Sequence, residues 1–158
     1  MKKWLGIAAG IVGVLILYVL INAGGKEIVT QVRKVISGDS EYLSRQELVE
    51  RLPEFLARAA AKLQNQLPMQ VDPASTLQSV TVSESTTVYN YRIDMNIISV
   101  GPEKFMAAQR SYFKNYACNS EDSLWVMKIG GVNKYVFRTV SGGYIGELEV
   151  RERDCKYG

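Results

Sequence analysis

Ser111-Tyr112-Phe113-Lys114 has the Ser-x-x-Lys spacing, which on a helix brings a lysine amine within reach of a serine hydroxyl that it can activate. Lys128-Ile129-Gly130-Gly131 loosely follows the Lys-Thr-Gly strand that accompanies this motif in acyl-transfer enzymes. The rest of that apparatus is missing. There is no Ser-Asp-Asn element, a chain of 158 residues is too short for that fold, and the stretch ending at Lys128 reads as a helix end. The match is one of spacing alone.

Histidine is absent. That removes Ser-His-Asp and Cys-His catalysis and the commonest ligand of transition metals. The two cysteines, Cys118 and Cys155, most economically form one disulfide in an exported chain, which leaves a zinc site only carboxylates. No catalytic residue, cofactor or metal is expected.

What remains for function is surface. Asn90, Arg92 and Asp94 form the polar side of an alternating strand, and Glu147, Glu149 and Arg151 form that of another. These six are the candidate interaction surface. Glu147, Glu149, Glu152 and Asp154 interleave with Arg151, Arg153 and Lys156, the pattern of a solvated strand edge. No spacing singles out a hydrolytic carboxylate pair. The pairs Tyr89/Tyr91 and Tyr135/Phe137 have two readings, a ligand-binding face or aromatics packed beneath helices.

The elements that must position these residues begin with residues 4–23, uncharged throughout and preceded by Lys2 and Lys3. As a helix this run covers about 30 Å, the hydrocarbon thickness of a bilayer. It reads as an uncleaved signal anchor. The competing readings are a cleaved signal peptide and a buried soluble helix. Against cleavage stand the length of the run and the bulky Ile21 before Asn22-Ala23; a lipoprotein junction would need a cysteine there. Positive charge stays cytoplasmic, so the N-terminus is expected in the cytoplasm and the rest of the chain in the periplasm of a bacterial inner-membrane protein. Gly6, Gly10 and Gly13 give a candidate helix-packing face, with simple tolerance of glycine in membrane helices as the alternative.

Of 19 Lys and Arg, two are Lys2 and Lys3, whereas all 16 acidic residues lie beyond the anchor, so the exported part is close to neutral. Nucleic acid is not an expected partner. Residues 26–37 carry a helical apolar stripe, a stalk. Ser44-Arg45-Gln46-Glu47 is a capping box opening a helix with Leu48, Leu52, Phe55, Leu56, Ala59, Leu63 and Leu67 on one face; Pro53 either kinks or restarts it. From Leu77 the period becomes two: a first hairpin whose second strand runs from Tyr89 to Ile97, a helix after Gly101-Pro102 with Phe105, Ala108, Tyr112, Phe113 and Tyr116 on its apolar face, and a final hairpin over residues 132–140 and 144–151 with Tyr144, Leu148 and Val150 inward. The expected fold class is α+β: an N-terminal transmembrane helix (residues 1–25), a helical stalk (26–43) and a disulfide-bonded domain (44–158) of order α-β-β-α-β-β with an antiparallel sheet.

Gln66-Leu67-Pro68-Met69-Gln70-Val71-Asp72, Tyr89-Asn90-Tyr91, Cys118, Gly131, Tyr135, Gly142-Gly143 and Asp154-Cys155 together resemble a pattern of small bacterial exported or membrane-anchored proteins, over roughly residues 60–155. The resemblance implies an envelope protein with a helix-plus-sheet domain and a terminal disulfide, and no activity. The expected function is a single-pass membrane protein presenting a non-catalytic domain to another envelope protein, of the immunity, exclusion or secretion-accessory type. The alternatives are an envelope hydrolase or glycan-binding module, and a structural subunit of a membrane complex.

Overall fold

The computed structural model describes residues 44–155; the anchor, the stalk and Gly6, Gly10 and Gly13 lie outside the described residues. Among the described residues no helix is long and apolar enough to cross a membrane.

Helix α1, Arg45–Gln64, starts as its sequence requires. The Ser44 hydroxyl accepts the Glu47 N–H, and the Glu47 carboxylate takes the Ser44 N–H at 2.7 Å. The bond from the Ser44 hydroxyl, then that from its backbone, holds the Glu47 carboxyl below its usual range. Pro53 sits inside one unbroken helix. The loss of one backbone bond there is outweighed by the stripe Leu48, Leu52, Leu56, Ala59 and Leu63, buried on either side of it.

Strands β1 (Met69–Asp72), β2 (Ser75–Ser83) and β3 (Thr86–Ile93) follow, then helices α2 (Pro102–Asn119) and α3 (Glu121–Lys128), strands β4 (Val132–Thr139) and β5 (Tyr144–Val150), and a last turn α4 (Glu152–Cys155). The sheet order is β1-β2-β3-β4-β5. Both expected hairpins form, but the sheet is not wholly antiparallel. β3 and β4 run parallel, with Tyr89 beside Tyr135 and Tyr91 beside Phe137. The helical crossover α2–α3 brings the chain back to the starting end of β3, and a connection of that length permits a parallel neighbour where a tight turn does not.

Helices pack on one sheet face. Leu77, Tyr91, Phe137 and Leu148 share a core with Leu63 of α1, Phe105 and Phe113 of α2 and Met127 of α3. Phe113 stacks on Tyr135 at 4.0 Å, and Phe105 meets Phe137 edge-on at 5.6 Å. Leu48, Leu52 and Ile129, with Trp125 beside them, form a second cluster where α1 begins. Cys118 and Cys155 are bonded, joining the end of α2 to α4.

Three expectations fail on local grounds. β3 stops at Ile93, because the Asp94 carboxylate accepts the Asn96 N–H and folds the chain away. Tyr144 is 59% exposed, not inward, because the ladder shifts register between Phe137 and Arg138. Such a shift breaks the alternation that Leu148 and Val150 obey. On α2, Ala108 is exposed and Ala117 is buried in its stead.

Candidate binding surfaces at one end of the sheet

The catalytic candidates dissolve into structure. Ser111 is exposed on α2. Gly130 and Gly131 close α3: the Gly131 N–H donates to the Val126 carbonyl at 3.0 Å and the Gly130 N–H to that of Met127. This is a Schellman cap, with Gly130 at φ +97°. A Cβ on Gly131 would lie 2.8 Å from the Val126 carbonyl oxygen, so glycine is required by packing. Among the described residues no cluster of three metal-binding side chains exists.

Four of the six candidate surface residues lie on two strands, and Asp94 and Arg151 lie just beyond the ends of those strands. Asn90 and Arg92 lie on β3, Glu147 and Glu149 on β5, and β4 stands between them on the face away from the helices. Parallel pairing sets Asn90 beside Val136 and Arg92 beside Arg138. Asn90 is spent on the Ser79 hydroxyl at 3.1 Å. Lys134 on β4 binds Glu147 at 2.7 Å and lies 3.9 Å from Glu149, which Arg151 meets at 2.6 Å. The Glu147 hydrogen bond, first among the causes, raises the Lys134 ammonium pKa. Asp94 lies apart, in the turn after β3. This charge network covers edge strand β5 and blunts it against pairing with another chain.

A second feature was not anticipated. Between the N-terminal half of α2, the segment following β3 and the β1–β2 turn lies a cleft of about 190 Å³. Ile93, Ile98, Val100 and Phe105 line it, with Asp72 among its polar residues and Tyr91 in its wall. Tyr91 is 3% exposed and its hydroxyl has no hydrogen-bond partner among the described residues. Burial, above all other causes, pushes that phenol well above the usual tyrosine range, so it stays a neutral donor. Asp72 is oriented by the Ala74 N–H, 2.7 Å from its carboxylate. Of the two readings of the aromatic pairs, the stacks of Tyr89 on Tyr135 and Tyr91 on Phe137 are core packing beneath helices. Of these, Tyr91 and Phe137 also line an opening. The sequence signal was slight: Ile98 and Val100 alternate just before Gly101-Pro102.

The arrangement offers an apolar recess with one carboxylate among its lining residues. It can bind; it assembles no nucleophile with a base. No family model and no curated protein matches the sequence. Solved structures do match in fold. The pilotin EpsS of the Vibrio vulnificus type 2 secretion system aligns with TM-score 0.59 and 14% identity, covering 67% of this chain and 93% of that one. The type II secretion pilotin AspS of Vibrio cholerae aligns with TM-score 0.55 and 15% identity over 67% and 94%. At such identities the likeness is one of fold.

Proposed function

We propose that this chain is a non-catalytic protein of the bacterial cell envelope that serves secretion by holding a segment of another envelope protein. The observation that carries this is the apolar cleft lined by Ile93, Ile98, Val100 and Phe105, with Tyr91 in its wall. At about 190 Å³ the cleft is below the roughly 300–1,000 Å³ of metabolite pockets and suits one apolar side chain of a partner, the usual form of an interface hot spot. Its apolar lining disfavours a glycan. The fold shared with two pilotins supports the secretion-accessory version over immunity or exclusion. In this reading residues 4–23 hold the chain in the inner membrane as a single span, with the N-terminus cytoplasmic and the domain periplasmic.

A photo-crosslinking side chain placed at Gln109, on the cleft wall, tests the reading in intact cells. One partner band should appear, should vanish with Val100→Asp, and should be absent when the crosslinker stands at Glu121, the first residue of α3. Equal capture from both positions, or capture indifferent to Val100→Asp, would refute it.

A further inference from the structure

On the outer face of the sheet, basic residues follow two regimes. Lys134 and Arg151 are matched by Glu147 and Glu149. Arg92 and Arg138 are not. They are register partners on adjacent parallel strands, and neither has a carboxylate within ion-pair distance among the described residues. The Arg138 guanidinium reaches only the Gly142 carbonyl at 3.4 Å and the Tyr144 ring at 5.7 Å. Asp94, two residues beyond Arg92, already accepts the Asn96 N–H. Like charges placed directly across a ladder destabilise it.

The same end of the sheet gathers exposed apolar groups. Four large hydrophobic side chains are exposed among the described residues: Val49, Ile97, Val140 and Tyr144. All but Val49 lie here. Tyr144 pairs with Arg138 across the ladder, and the Val140 N–H donates to the Ile93 carbonyl, one residue from Arg92.

We propose that this end of the sheet, built from Arg92, Arg138, Val140 and Tyr144, docks onto an anionic phospholipid bilayer. Each element has its place there. Guanidinium forks match phosphate, tyrosine favours the interface, and valine enters the acyl boundary. An acidic protein segment would use the arginines but leave the exposed Val140 and Ile97 unexplained. Two arginines are worth about 1 kcal/mol each at an anionic surface, which is weak in free solution but effective once a tether supplies local concentration. With residues 26–37 helical at about 1.5 Å per residue and the rest extended at up to about 3.5 Å per residue, the chain between the apolar run and Ser44 would span about 45 Å, more than the roughly 30 Å length of α1, so the end remote from Ser44 can reach the membrane. The inference is independent of the partner held in the cleft.

The full chain carrying a nitroxide at Ser141→Cys, reconstituted into vesicles, tests it. In phosphatidylglycerol-containing vesicles the label should lose accessibility to a water-soluble nickel quencher relative to pure phosphatidylcholine. That loss should vanish at high salt, in Arg92→Gln/Arg138→Gln and in Val140→Asp, and survive in Arg92→Lys/Arg138→Lys. Near-ultraviolet circular dichroism checks that each variant keeps its fold. Equal accessibility in both lipids overturns the proposal, as does a loss indifferent to the arginines. So does displacement of the label from the surface by soluble polyglutamate that also binds without lipid, which would assign the site to an acidic protein. Crosslinking from Gln109 should be unchanged throughout.

Discussion

The two ends of the sheet are built to opposite rules. At the end where α1 begins, polar groups are matched: Ser44 with Glu47, the Arg45 guanidinium with the Lys128 carbonyl at 3.1 Å, Asn133 with the Ser123 hydroxyl at 3.2 Å. Leu48 and Leu52 are fully buried against Ile129, the glycines cap α3, and the disulfide closes α2 onto α4. At the other end the Tyr91 hydroxyl is unmatched, Arg92 faces Arg138, and Ile97, Val140 and Tyr144 stand in solvent. Unpaired arginines and exposed apolar side chains are therefore concentrated at one end. A rigid scaffold can carry such deficits because it does not rely on them.

Removing the disulfide should have the largest effect. Its sequence separation is 37, for which chain entropy gives about 4 kcal/mol. Cys118→Ser/Cys155→Ser should lower the urea midpoint accordingly and leave Gln109 crosslinking intact at low temperature. Loss of crosslinking in a still folded double mutant would erase the distinction between the ends.

Alkali should act almost as strongly. Tyr89, Tyr91 and Tyr135 have phenols raised by burial, so the fold disfavours their ionised forms. Their stabilising contribution is complete below the unfolded value near pH 10 and falls as pH rises beyond it. At pH 11 each costs about 1.4 kcal/mol, together about 4. Stability measured from pH 8 to 11 should show this, with no tyrosinate absorbance from these three before unfolding. Ionisation of Tyr91 in the native state would mean that the cleft wall is wet.

Leu52→Ala, at a fully buried site, should cost about 3 kcal/mol. The smallest effect should have the opposite sign. Tyr91→Phe removes a buried orphan hydroxyl and should stabilise by up to about 1 kcal/mol while leaving capture at the cleft intact. Destabilisation by that change would show that the hydroxyl is satisfied after all.

What was legible in the sequence was local. The capping box at Ser44, the amphipathic run of α1, both hairpins, the aromatic side of β3 and the pairing of the only two cysteines each follow from residues near one another or from elimination. What was not legible depends on residues far apart. The parallel seam is set by the α2–α3 crossover and not by either strand's pattern. β1 is four residues with a single buried side chain, Val71, too few for alternation to register. Tyr144 has the parity of a core residue and is turned out by a bulge that its own strand does not encode. The cleft is assembled from four separate segments, so no stretch of sequence announces it. The pairing of Arg92 with Arg138 follows from the seam and was hidden for the same reason.

The seam has a further consequence. β3 and β4 form the only ladder joining the first three strands to the last two, and the covalent crosslink, with both sulfurs beyond β3, does not span it. An exchange of C-terminal portions between two molecules would keep the contacts of the seam, at the expense of those that residues 94–101 make themselves, among them Ile98 and Val100 against the core. Refolding at high concentration should yield an exchanged dimer that keeps its disulfides intramolecular and falls apart only through unfolding.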